Sequence, residues 1–208
     1  MGRDRHLTAP RGAGFRPLRY TSVPVEENEF AVIKKSDVIQ GVHYVFPKPA
    51  DDDRGKFAEV YRHEWIPGSR EMKQMNLSLS RAGVLRGMHY HLFQADYWYV
   101  TSGSVFVALY DHRAASKTAE KSEFFELQEG EGRGIYIPPG VAHGFYAITD
   151  ATLLYMVDQY FDGTDELGIY YDDPALEITW PFEVEPVVSD RDRDCPMLAE
   201  IPEENLPI

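Results

Sequence analysis

Three side chains able to move a proton or hold a metal fall within eight residues of this chain: His89, His91 and Asp96. On an extended strand, side chains two apart point to the same side, so His89 and His91 can share one site. A fourth group, His143, closes the pattern Gly132-x5-Pro138-x-Gly140-x2-His143. Three imidazoles and a carboxylate are a workable ligand set for Zn²⁺, Fe²⁺, Ni²⁺ or Mn²⁺. Histidine is also the side chain best suited to acid–base work near neutral pH. One imidazole cannot easily be a free base and a metal ligand at once, so the chemistry turns on His89.

The elements that must position these groups read as β-structure. The chain has 208 residues, the size of one ordinary domain with a real core. Its 16 Gly, 14 Pro and 13% aromatic residues point to short strands joined by many turns. Strand-like runs are expected at Phe30–Ile33, Val42–Phe46, Phe57–Trp65, Met75–Leu79, Phe124–Leu127, Gly134–Ile137, Gly144–Ala147 and Leu153–Val157. Tyr97–Val100 and Val105–Tyr110, divided by Gly103, read as a hairpin. Asp51 to Gly55 reads as a turn, and the best helix candidate is a short one near Pro196–Ile201. Regular short strands of this kind build a sandwich or barrel, with few helices. Trp98, Tyr97 and Tyr99 are expected in its core. Residues 1–27 lack periodicity and read as an N-terminal arm, leaving 28–208 as a single domain.

Composition narrows the partners. A net charge of −13 argues against nucleic acid, although Arg54, Arg62, Arg86 and Arg133 could make one pocket locally basic. No run of 18 apolar residues exists, so no membrane span is expected, and the start of the chain lacks the apolar stretch of a signal peptide. The single Cys195 rules out an internal disulfide and fits a reducing, cytoplasmic setting. Nothing near it in sequence marks it as a nucleophile. His6, His43, His63 and His112 belong to no constellation.

Seven motifs in one order resemble the dTDP-4-dehydrorhamnose 3,5-epimerase family of the cupin superfamily. They run from Asp53-Arg54-Gly55-x-Phe57-x-Glu59 through Gln74-x-Asn76-x-Ser78-x-Ser80 and Gly83-Val-Leu-Arg86-Gly87-x-His89. Ile137-Pro-Pro-Gly140-x-Ala-His143-Gly144-Phe145, Leu154-Tyr155 with Tyr160, and Gly168 to Pro181 follow, and Ser189-Asp-Arg191-Asp192 with Pro196 and Leu198 closes the set. The resemblance implies an all-β double-stranded β-helix, the cupin jelly roll, that forms a homodimer through its N-terminal strands. It implies an isomerase of deoxysugar biosynthesis, acting on a nucleotide-linked 4-keto-6-deoxy sugar and needing no cofactor. The keto group acidifies the protons on the neighbouring carbons; a base removes one and an acid returns it to the other face. By resemblance His89 is the base, Asp192 orients it and Tyr155 is the acid. Arg86 and Arg54 grip the diphosphate, while Phe57, Glu59, Gln74, Asn76, His91, His143 and Tyr160 shape the remaining contacts.

The chain also departs from that family. His91 stands where the family has Gln, the following loop is shorter, and Asp96 stands where the family has Lys. A carboxylate repels the enolate charge that the lysine supports. The same changes make His89-x-His91-x4-Asp96-x6-Gly103 fit the first metal-binding motif of the cupins, with Asp for the usual Glu. In that alternative His89, His91, Asp96 and His143 hold a divalent metal, Asp192 fixes His89 as a ligand, and the metal polarises the keto oxygen. Three functions follow: a nucleotide-sugar epimerase, or a single-centre epimerase or ketoisomerase variant of it; a metal-dependent cupin enzyme on another small molecule; or a cupin that binds a sugar nucleotide without catalysis.

Overall fold

Gly103 separates two apolar strands that belong to different sheets. A side chain there would meet the Asp150 carbonyl oxygen at 2.0 Å, and its φ of 78° is left-handed, so the position demands glycine. Strand β8 (Asp96–Ser102) precedes it and β9 (Ser104–Asp111) follows. The expected hairpin is therefore a crossover: β8 has its ladder partners in one sheet and β9 in the other.

The computed structural model describes residues 25–207. The other strands are β1 (Val25–Glu27), β2 (Ala31–Lys35), β3 (His43–Pro47), β4 (Ala50–Asp52), β5 (Gly55–Phe57), β6 (Gln74–Ser80), β7 (Leu85–Tyr90), β10 (Ser122–Gln128), β11 (Gly134–Ile137), β12 (Val141–Ala147), β13 (Ala151–Val157) and β14 (Leu167–Gly168). A seven-stranded sheet has the order β1-β2-β3-β11-β8-β13-β6, and a five-stranded sheet the order β10-β9-β12-β7-β14. All named strand pairs are antiparallel, and the two sheets form the expected jelly roll. The arm read at residues 1–24 lies outside the described residues, as does His6; residues 25–27, read as its end, form β1.

Three apolar layers hold the sheets. Between them Tyr44, Trp98 and Ile135 of the larger sheet meet Val107, Phe125 and Phe145 of the smaller one. Behind the smaller sheet the C-terminal segment lays Ile169, Leu176 and Trp180 on Phe106 and Tyr146. Behind the larger sheet Trp65 and Ile66 cover Tyr97 and Tyr136. Each such side chain, fully buried, contributes about 1.5–3 kcal/mol.

Phe57–Trp65 is not a strand. Only Phe57 lies in β5, and His63–Trp65 is a 3-10 turn. The segment is pinned by a side chain instead of a ladder: the Tyr97 hydroxyl donates to the Val60 carbonyl at 2.5 Å. The only α-helix among the described residues is α1 (Asp190–Arg193), and the helix expected near Pro196 shrinks to a 3-10 turn at Leu198–Glu200. Among the described residues no helix is long and apolar enough to cross a membrane.

Candidate active site

Arg86 and His89 are three apart on β7, a spacing that would normally send them to opposite faces. A slip in the ladder cancels that. His89 pairs with His143, and Arg86 with Phe145, so three steps on β7 match two on β12. Both side chains then line one cavity of about 320 Å³. Gly87 makes the slip sterically open: its φ is 122°, and a Cβ there would lie 2.6 Å from the Gly144 Cα. Gly87→Ala should therefore destabilise the fold by about 2–4 kcal/mol, read as a lowered urea midpoint. An unchanged midpoint would mean that the slip does not need glycine.

The helix α1 supplies the partner for His89. Ser189 caps it, its hydroxyl accepting from the Asp192 N–H at 3.1 Å. The cap turns the Asp192 carboxylate toward β7, where its Oδ1 accepts from His89 Nε2–H at 2.7 Å and its Oδ2 from the Gly87 N–H at 3.3 Å. Burial alone would raise the Asp192 carboxyl, but these hydrogen bonds outweigh it and hold the pKa below the usual range. With Nε2 committed to Asp192, the nitrogen of His89 left to act as a base is Nδ1. Tyr155 lines the same cavity from β13, and burial raises its hydroxyl pKa.

The other two histidines turn to a different carboxylate. His91 Nε2 lies 3.9 Å from Asp96 Oδ1, and His143 Nε2 lies 3.9 Å from Asp96 Oδ2. All three residues are buried, and their ligand atoms lie within 4.8 Å of one another. His89 does not belong to this group, which corrects the four-residue metal set. His89 and His91 do line one cavity, as the two-residue period predicts, but Asp192 holds the Nε2 of His89 away from Asp96. Burial pushes the His143 imidazole down to about 4.

Asp165, which no motif marked, sets the geometry of the short loop between His91 and Asp96. Its carboxylate accepts from the backbone N–H groups of Leu92, Phe93 and Gln94 at 2.6, 2.8 and 3.1 Å. Its carbonyl accepts from His91 Nδ1–H. Gln94 Nε2 and Trp98 Nε1 donate to Asp96 Oδ1 and Oδ2 at 3.0 and 3.1 Å. Trp98 is thus a core residue, as expected, and also part of the cavity wall.

The remaining expected contacts divide. Arg86, His91 and His143 line the cavity. Gln74 and Asn76 sit half-buried on β6 beside it, joined by a hydrogen bond of 2.9 Å, but do not line it. Tyr160 is exposed and lines a neighbouring depression; its neighbour Phe161 takes the place in the cavity. Arg54, Phe57 and Glu59 are outside altogether. Arg54 stands on the β4–β5 hairpin with its side chain 89% exposed and paired to Asp52, and Glu59 is tied to Arg62 at 2.6 Å. Arg133 is buried against Phe125. The second basic residue of the cavity is Arg191, next to Asp192 on α1 and 3.1 Å from Glu166. Its place in the closing motif was the signal that could have found it; Phe161 had one too, standing beside Tyr160 where the resembled family has a second tyrosine, whereas Glu166 lies in irregular backbone and carried none. Cys195 lines another depression, and burial raises its thiol pKa, as suits a residue without chemistry.

Comparison with known proteins gives one answer. The family described as dTDP-4-dehydrorhamnose 3,5-epimerase matches residues 36–200. A dTDP-4-dehydrorhamnose 3,5-epimerase of Streptomyces griseus is 36% identical over 171 residues, covering 78% of this chain and 85% of that protein. A dTDP-4-dehydrorhamnose 3-epimerase of Streptomyces niveus is 37% identical over 170 residues, covering 78% and 82%. The crystal structure of a dTDP-6-deoxy-D-glucose-3,5-epimerase from Legionella pneumophila, in complex with dTDP-4-keto-L-rhamnose, superposes with a TM-score of 0.77 at 30% identity, covering 89% of this chain and 98% of that one.

Proposed function

Since the chain belongs to the dTDP-4-dehydrorhamnose 3,5-epimerase family, we propose that His89, Asp192 and Tyr155 move protons on a dTDP-linked 4-keto-6-deoxy sugar. The protein is an isomerase, an epimerase of dTDP-sugars. The observation that carries the residue assignment is the 2.7 Å His89–Asp192 hydrogen bond in the cavity wall.

The chemistry follows from the groups present. The 4-keto group makes the protons on C3 and C5 acidic. His89 Nδ1 takes one of them, and the charge that forms on the imidazole is offset by the Asp192 carboxylate. Tyr155, a phenol whose pKa burial raises, returns a proton to the opposite face. Arg86 and Arg191 offer planar forks that suit diphosphate oxygens. The substrate's own carbonyl is the electron sink, so proton transfer asks for no organic cofactor. The relatives include a 3,5-epimerase and a 3-epimerase at nearly equal identity, 36% and 37%, so identity does not choose between two centres and one.

A homodimer is part of this reading. β6 is an edge strand whose inward side chains are Gln74, Asn76, Ser78 and Ser80. Its outward ones, Met75, Leu77 and Leu79, are 61%, 57% and 69% exposed. An apolar stripe of this kind asks for a cover, and a second copy supplies one. Arg54 and Phe57 are exposed and do not line the cavity of their own chain, so in this reading a contact with substrate is one made in the second copy. Work in the cytoplasm is likewise proposed, on the strength of the single Cys195.

The test is incubation with dTDP-4-keto-6-deoxyglucose in D₂O, with the C3 and C5 protons followed by NMR. Loss of one or both signals is the expected result and counts the centres served. Binding of the nucleotide sugar without any exchange would replace the enzyme with a sugar-nucleotide-binding protein.

A further inference from the structure

We propose that His91, Asp96 and His143 form a divalent-metal site in the cavity wall, beside the His89–Asp192 pair and separate from it. Its role in the reaction rests on the epimerase reading; the binding itself does not.

The case is one of electron pairs that converge on one place. His143 Nδ1–H donates to the Val141 carbonyl at 3.0 Å, and His91 Nδ1–H donates to the Asp165 carbonyl. In the neutral rings both Nε2 atoms therefore carry lone pairs, and both stand 3.9 Å from an Asp96 oxygen. That separation is too long for a hydrogen bond. It suits two ligands of one ion, each about 2.0–2.2 Å from it. Two lone pairs and an anion converging in a buried place repel one another unless a cation lies among them.

The surroundings are those of a metal site. Ligating imidazoles are commonly oriented by a carbonyl on the far ring nitrogen, and ligating carboxylates are themselves hydrogen-bonded. Both features are present here, in the two carbonyls and in the bonds from Gln94 and Trp98 to Asp96. Two imidazoles and one carboxylate suit Zn²⁺, Co²⁺, Fe²⁺ or Mn²⁺. When bound, such an ion supplies positive charge in a cavity where an enolate must form. His89 stays outside the set because Asp192 holds its Nε2, so base and metal do not compete for one ring.

The test uses the full chain without a tag, stripped by a chelator and titrated with Co²⁺ and then Zn²⁺. Visible absorption and elemental analysis give the stoichiometry. A single equivalent per chain with Co²⁺ ligand-field bands is expected. His91→Gln, Asp96→Asn and His143→Asn should each weaken binding by more than the roughly 10–100-fold that loss of an orienting partner costs. His89→Asn should bind as wild type. Well under one equivalent on the wild-type chain overturns the site, as does a loss in His89→Asn equal to that in Asp96→Asn. The wild-type titration stands even if a variant fails to fold. Proton exchange in D₂O is scored separately. A chain that binds metal but exchanges nothing keeps the site and removes the epimerase reading, and one that exchanges but binds no metal does the reverse.

Discussion

Asparagine in place of His89 should slow epimerisation of a dTDP-4-keto-6-deoxy sugar by about 10²–10⁴-fold, the usual contribution of a positioned general base. Asparagine is smaller and its amide stops short of the Asp192 carboxylate, but the Ser189 cap of α1 and the Gly87 N–H bond to Asp192 do not involve His89, so the contact of α1 with β7 should survive. What it lacks is a nitrogen able to hold the abstracted proton. Binding of dTDP should stay near wild type, because Arg86 and Arg191 are untouched. The measurement is kcat/KM together with deuterium uptake from solvent. Exchange at the wild-type rate would remove His89 from the mechanism and leave its bond to Asp192 as a structural link.

Tyr155→Phe should lower inversion by a similar factor, about 10²–10⁴, but with a different signature. A phenol holds its proton at neutral pH in any case, and half-burial on β13 raises the Tyr155 pKa further. Phenylalanine keeps the packing against the central core. His89 still removes the proton and can return a deuteron to the same face. Deuterium should therefore enter at C3 or C5 with the starting configuration retained. A variant that inverts as fast as wild type would show that another group is the acid; one that takes up no deuterium would show that Tyr155 is needed before the proton leaves.

Much of this site was legible because its motifs stand in one order along the chain, although the strand period alone would have set Arg86 and His89 on opposite faces. Arg86 and His89 lie on β7 and His143 on β12, neighbours in the smaller sheet, while Tyr155 faces them from β13 of the larger one, and their motifs recorded that set in order. The fold class was legible for the same reason. Three failures have three physical causes. Gly103 looked like a hairpin turn because a glycine with positive φ marks any sharp change of direction, and only the ladder partners reveal a crossing between sheets. His89 was counted as a metal ligand because a shared face does not fix where a ring nitrogen points; α1, a hundred residues downstream, decides that. Arg54, Phe57 and Glu59 were counted as cavity residues because a motif gives an order along the chain and not a position in space; in the fold they stand outside the cavity of their own chain. Asp165, Glu166 and Phe161 lie in irregular backbone, where periodicity carries no information.

The strand β6 answers to two masters at alternate positions. Its even-numbered residues, Gln74 to Ser80, face the cavity side, and its odd-numbered residues, Met75, Leu77 and Leu79, face outward. A deletion of one residue at its start would exchange the two sets, presenting thioether and isobutyl groups to the sugar side and amides and hydroxyls to whatever covers the outside. Point substitutions along β6 can be accommodated singly, whereas a change in its length strikes ligand side and outer face together. An added or deleted residue should therefore be tolerated in the loops that flank the strand and not within it.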